Sequence, residues 1–289
     1  MTVTRAPSKR SIAIDQIGYI NRVLDRFEMT DCRKRTTPMV IGYKLHAIQP
    51  ELGEQPFDAR TYQKAIGSIL YAALGTRPDI TYATSVLGRY AAQPSTLHWK
   101  AVKHLLQYLR GTSDYKLTIY DPHLGHDSNL GHDSLSILCY ADADLGGEAD
   151  TSKSTSGIIV YTLKTLVIWK LKKQSVVAQS TMQAELIATV YGKVQIDWLR
   201  DLISEIGIGR GITRRILNDG LNCITTFNLR NFQSDRRHLR LQYYSIHEAI
   251  AKGEIEIKHV AGTEMLADAL TKALGGVKLS EFVEEIGLR

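Results

Sequence analysis

Residues 139–148 read CYADADLGGE. An apolar stretch, SILCY, runs into two aspartates, Asp142 and Asp144, and then at once into glycines. Apolar and β-branched residues ending at a Gly pair read as a strand and the turn that stops it. The pair of carboxylates at that strand end is either part of an ordinary turn or half of a metal site. The choice depends on what the remaining chain brings to the same place.

Working outward, SGIIVYTL and TLVIWKLKK read as two more strands. STMQAELIATVYGKVQIDWLRDLISEIG reads as a long helix, with Ser180 and Gln183 as a capping box at its start. TRRILND and EIEIKHV read as further strands, separated by the helical RHLRLQYYSIHEAIAKG. EMLADALTKAL and KLSEFVEEIG read as closing helices. Three strands followed by alternating helix and strand argue for a mixed sheet flanked by helices.

Upstream, TVTRAP and SIAID form a short hairpin. A helix follows, with Ile17, Ile20, Val23, Leu24 and Phe27 at helical spacing. Residues 58–112 are largely helical; Ser95 is an N-cap and Gly111 a terminator. A tandem copy, LGHDSN then LGHDSL, marks a polar linker between the halves. Its His126 and His132 are candidate metal ligands, but a plain polar linker is the favoured reading. The expected segments are 1–48, 49–120, a linker over 121–135, and an α/β domain over 136–289.

The bulk numbers limit the function classes. The chain has 289 residues, 36 Lys and Arg against 30 Asp and Glu, and a formal net charge of +6. That mild basicity is compatible with a polyanionic partner. Three scattered cysteines support neither a zinc cluster nor a disulfide framework, and imply a reducing, intracellular compartment. No apolar run approaches the roughly 20 residues of a membrane span, and no secretory h-region opens the chain.

Four carboxylates fall at strand ends and helix starts, where α/β folds build sites: Asp142, Glu185, Asp219 and Asp268. Converging there, they suit a hard oxygen-seeking cation such as Mg²⁺. A helical wheel offers the plain alternative. Glu185 lies opposite the stripe Leu186, Ile187, Val190, Tyr191 and Val194. Asp268 faces away from Met265, Leu266, Ala269 and Leu270, so either is also readable as a solvated residue.

Longer motifs carry a resemblance. YQKAIGSILYAALGTRPDITYATSVLGRYAAQPSTLHWKAVKHLLQYLRGT resembles the segment that joins polymerase to ribonuclease H in Pol polyproteins of copia-type LTR retrotransposons. YADADLGGEADTSKSTSG, KKQSVVAQSTMQAELIA, RRILNDG and EIKHVAGTEMLADALTKAL resemble that family's ribonuclease H motifs, in order. The resemblance covers nearly the whole chain. It implies a ribonuclease H-like mixed five-stranded sheet flanked by helices. Before it would come a mainly helical segment derived from the reverse transcriptase connection and thumb, with residues 1–48 a remnant of the reverse transcriptase C-terminal region.

The resemblance further implies metal-binding catalytic roles for Asp142, Glu185, Asp219 and Asp268, with Asp144 as the alternate to Asp142. His259 is better read as a structural histidine. The implied cofactor is Mg²⁺, two ions, with Mn²⁺ as a substitute. The implied reaction is two-metal hydrolysis of the RNA strand of RNA–DNA hybrids, leaving 3′-hydroxyl and 5′-phosphate ends. Implied partners are the hybrid and a longer Pol product, with no membrane. The implied location is a cytoplasmic virus-like particle or the nucleus. Lys170, Lys172 and Lys173, and the run SDRRHLR at 234–240, are candidate backbone contacts. Each is equally readable as a solvated edge or helix start. Trp99 and Tyr108 read as core rather than as base-stacking residues.

Departures from the family pattern point the other way. DADW has become DADL, with Leu145 for Trp. DNQSA has become DGLNC, bringing Gly220 and Leu221. TKHID reads RRHLR at 236–240. No Asp-Asp dipeptide occurs, so the family's Y-x-D-D polymerase site is missing and no polymerase activity is expected of this chain alone. The alternative to an active nuclease is a decayed remnant retaining only the fold or nucleic-acid binding.

Overall fold

The computed structural model describes residues 1–6, 11–43, 45–120, 135–207, 212–227 and 237–289. The chain divides into two compact units, Met1–Asp121 with Lys272–Arg289, and Pro122–Thr271. All of the tandem repeat except Leu135, including His126 and His132, lies outside the described residues, as do residues 234–236 of the second basic run and the side chains of 237–239.

In the first unit, β1 (Thr2–Ala6), β2 (Ser11–Asp15) and β3 (Lys116–Tyr120) form an antiparallel sheet in that order. Its helices are α1 (Ile17–Arg26), α2 (Ala59–Gly75), α3 (Thr81–Gly88) and α4 (Thr96–Gly111). Ser95 caps α4 in a box closed by His98, whose Nδ1 accepts the Ser95 N–H at 2.9 Å. Tyr108 is buried and its hydroxyl donates to Asp79 Oδ2 at 2.8 Å. Trp99 stacks on Phe57 at 4.5 Å. Both aromatics therefore pack within the unit. Asp79 also receives the wholly buried Arg77 at 2.6 Å, while Arg77 Nη1 donates to Thr112 O at 2.8 Å. A buried ion pair is tolerated when its remaining donors are satisfied in this way.

Residues 272–289 were expected in the second domain but pack with the first unit. The reason is pairing and burial. Lys116 N–H donates to Arg289 O at 2.7 Å, and Thr118 N–H to Gly287 O at 2.8 Å. Leu288 is wholly buried, and Leu279, Phe282 and Val283 of the terminal helix Gly276–Glu285 are buried. Residues 1–48 and 49–120, expected as separate segments, lie in one unit because β2 pairs with β3 across them.

The second unit is an α/β domain of ribonuclease H-like architecture. Its strands are β4 (Ser136–Asp144), β5 (Thr155–Thr162), β6 (Thr165–Lys173), β7 (Thr213–Asn218) and β8 (Glu256–His259). They lie in the order β6-β5-β4-β7-β8. The first three pair antiparallel, and β7 and β8 continue parallel to β4. Helices α5 (Thr181–Glu205), α6 (Leu221–Phe227), α7 (Arg237–Ala251) and the single turn α8 (Asp268–Thr271) complete it, and the terminal helix is α9. Alternation along β4 sends Ile137, Cys139 and Ala141 into the core with Ile158, Val160, Leu186 and Ile196. Among the described residues no helix is long and apolar enough to cross a membrane.

Ser180 Oγ caps α5 by accepting the Gln183 N–H at 3.2 Å. Gln183 does not close the expected box on Ser180. Its Oε1 accepts from Gln179 N–H at 2.7 Å, one residue earlier.

Candidate metal centre

β4 and β7 run side by side and in parallel, with Tyr140 level with Leu217. Continuing that register brings Asp142, on β4, level with Asp219, just past β7. Sheet polarity thus places two of the four carboxylates at neighbouring C-terminal strand ends. α5 brings the third. Glu185 sits one turn beyond its cap, and its carboxylate receives the Ala143 N–H at 3.2 Å on Oε1.

One ligand oxygen from each of Asp142, Glu185 and Asp219 lies within 4.8 Å of the others. Asp142 and Glu185 are buried, at 5% and 8% exposure, and Asp219 is half-buried. The wheel argument for a solvated Glu185 fails because Glu185 faces the sheet's end, where the strands stop and no apolar partner is needed. Asp268 is also buried, as the first residue of α8, but it is not a member of the three-carboxylate group. α8 reaches the cluster through Thr271, whose hydroxyl donates to Asp142 Oδ2 and to Asp268 O.

Asp144 lies on the same strand face as Asp142 but outside the cluster. Its carboxylate folds back over Gly147, where even a Cβ would collide with it. His259 ends β8 in register with Asn218 and is exposed.

The electrostatics follow from crowding. Burial, with Asp142 beside it, pushes the Glu185 carboxyl up to about 8. At neutral pH the cation-free group therefore holds a proton. Hard carboxylate oxygens held close together suit a divalent cation. Asp142, Glu185 and Asp219 are the residues that would hold it.

Two functional neighbours escaped the sequence reading. Asn218 donates through Nδ2 to Glu185 Oε2 at 2.8 Å and to Ala141 O at 3.1 Å. Thr271 holds Asp142 as described. Asn218 directly precedes Asp219 and was visible only as the end of a strand; Thr271 was visible only as a helix residue.

The lysines of β6 are engaged within the chain. Lys173 pairs with Glu148, Lys170 donates to Gln195 Oε1 at 2.5 Å, and Lys172 lies over the Tyr191 ring at 5.4 Å. β6 is an edge strand, so these lysines also guard an open edge. Leu145, the residue standing for Trp, is 40% exposed in the turn after β4, so its change leaves no hole in the core.

No protein-family model matches the chain. Over 279 residues, 96% of its length, it is 31% identical to the retrovirus-related Pol polyprotein from transposon RE2 of Arabidopsis thaliana. Over 291 residues it is 29% identical to the Pol polyprotein from transposon TNT 1-94 of Nicotiana tabacum. The chain belongs to the copia-type retrovirus-related Pol polyproteins.

This Pol chain spans about a fifth of the length of those relatives, 18% of the first and 21% of the second. Among solved structures it is similar to LC11-RNase H1 in complex with an RNA/DNA hybrid. The identity is 12% and the TM-score 0.34, over 46% of this chain and 92% of that one. The second unit of the Pol chain is a ribonuclease H-like domain with a buried acidic group able to bind a metal ion.

Proposed function

We propose that this Pol chain is a ribonuclease H, a Mg²⁺-dependent endonuclease that hydrolyses the RNA strand of RNA–DNA hybrids. The observation that carries the reading is the convergence of Asp142, Glu185 and Asp219 within 4.8 Å at the C-terminal ends of two parallel strands. Asp268, buried on α8, is assigned as the fourth ligand in the same reading. Asp142, Glu185, Asp219 and Asp268 would hold two divalent cations, whose charge would activate a water and stabilise the phosphate and the leaving oxygen.

The chain's own residues do the rest. Asp142 and Asp219 present oxygens from rigid strand ends, and Thr271 fixes the rotamer of Asp142. Glu185, whose carboxyl is held up at about 8 by burial and Asp142, would release its proton to solvent on binding a cation, because added positive charge favours the carboxylate. Discrimination of RNA from DNA rests on the 2′-hydroxyl, and backbone contacts make binding salt-sensitive.

The test is Glu185→Gln. A conservative amide keeps size and packing but removes a ligand charge. Cleavage of an RNA–DNA hybrid should fall by at least about a hundredfold, while the thermal melt stays cooperative. Wild-type cleavage by that variant would refute the assignment.

The second reading, a remnant that binds without cutting, is favoured by the three-carboxylate group, which does not include Asp268. Hybrid binding without cleavage at saturating Mg²⁺ and Mn²⁺ would establish it.

A further inference from the structure

Asn218 has no part in the reading above, yet it is wholly buried between three elements of the site. Its Nδ2 donates to Glu185 Oε2 at 2.8 Å and to Ala141 O at 3.1 Å. Its Oδ1 accepts the Gly220 N–H at 2.7 Å. Donor and acceptor ends of the amide are both engaged. The contacts reach the β4 backbone just before Asp142, the Glu185 carboxylate, and the turn just after Asp219. One side chain therefore touches the supports of all three clustered carboxylates.

We propose that Asn218 is the positioning residue of the acidic cluster, fixing Glu185 against Asp142 and Asp219, and that Gly220 is its steric complement. The inference rests on the reading of the cluster as a cation site. A neutral amide is the donor such a site needs. Lys or Arg at 218 would compete with a cation for Glu185 and repel it, and Asp would add a further like charge. Ala would leave Glu185 Oε2 and Ala141 O without this donor.

Gly220 belongs to the same device. A Cβ there would lie 2.9 Å from Asn218 Oδ1 and 3.4 Å from Glu185 Cγ. The first distance forces a shift. The Asn218 amide is held at both ends, so it cannot swing aside without releasing Glu185. Gly220 is thus a requirement of Asn218 rather than a mark of decay, and restoring a side chain at 220 alone should damage the site.

The experiment is calorimetric titration of Mn²⁺ into the full chain, with hybrid cleavage kinetics on the same preparations. The series is wild type, Asn218→Ala, Asn218→Ser, Gly220→Asn and the double Asn218→Ser/Gly220→Asn. Asn218→Ala should weaken Mn²⁺ binding about 10- to 100-fold. It should lower kcat with KM for the hybrid unchanged. Gly220→Asn alone should weaken Mn²⁺ binding similarly. The double should lose less than the two singles combined, because the singles share one contact.

Wild-type Mn²⁺ affinity and kcat in Asn218→Ala overturn the proposal, as does strict additivity in the double. If Asn218→Ala fails to fold, the serine and glycine arms decide by the same criterion. A wild type that binds Mn²⁺ but cuts nothing overturns the nuclease reading alone, and the affinity series still judges Asn218. A wild type that binds no Mn²⁺ overturns both.

Discussion

At the scale of residues, Glu185 is the group on which stability and chemistry meet. Its folded value of about 8 lies above the ordinary 4.5, because burial and Asp142 penalise its charged form. Between those two values the folded chain keeps a proton that the unfolded chain has lost. Stability should therefore be highest below about pH 4.5 as far as this group is concerned, and fall as pH rises through the window toward 8. The size is on the order of a few kcal/mol. Melting in EDTA across pH 5–8 should show the fall, and Glu185→Gln should abolish it. A wild-type melting temperature flat across that range would contradict the assigned electrostatics. Of the four carboxylates singled out from the sequence, Asp142, Glu185 and Asp219 come together, and Asp268 is not a member of that group. Their supports were not legible there. Asn218 and Thr271 act through side-chain hydrogen bonds between segments distant in the chain, and no periodicity records such bonds. The wheel left a solvated Glu185 open as an alternative, because a wheel sees helix neighbours and not the end of a sheet; Glu185 is buried.

At the scale of elements, close packing decides where the carboxylates point. β5 meets α8 at Gly157, which is paired with Asp142 of β4. A Cβ at 157 would lie 2.8 Å from Thr271 Cγ2, 3.0 Å from Leu270 Cβ and 3.1 Å from Ala267 O. Gly157→Ala should push α8 off the sheet and destabilise the domain by about 1–3 kcal/mol. It should also slow cleavage, by loosening the Thr271 bond to Asp142. Urea midpoints with parallel cleavage rates test this, and an unchanged midpoint would show that α8 is not held there. Strand and helix types in the second unit were readable from period and β-branched content over SGIIVYTL and from the capped run after Ser180. EMLADALTKAL was read as a full helix and yields one turn, Asp268–Thr271. β3 was missed altogether. KLTIY is only five residues long and is made a strand by its pairing with β2, which lies about a hundred residues earlier.

At the scale of the whole molecule, two units share one chain in an order the sequence does not announce. The return of residues 272–289 to the first unit was not legible, because it depends on a terminus pairing with β3. Ending the chain at Thr271 should remove the partners of Lys116 and Thr118 and uncover the residues that α9 covers. Amide exchange should then quicken at β3 and leave β4, β5 and β7 as protected as before. Equal loss of protection in both units would contradict the division. The central claim concerns the second unit, and cleavage of an end-labelled RNA–DNA hybrid tests it most directly. The purified chain would be assayed in Mg²⁺ with Asp142→Asn alongside. The account predicts cutting of the RNA strand by the wild type and its loss in the variant. A folded wild type that leaves the hybrid intact, or a variant that cuts as well as the wild type, would contradict it.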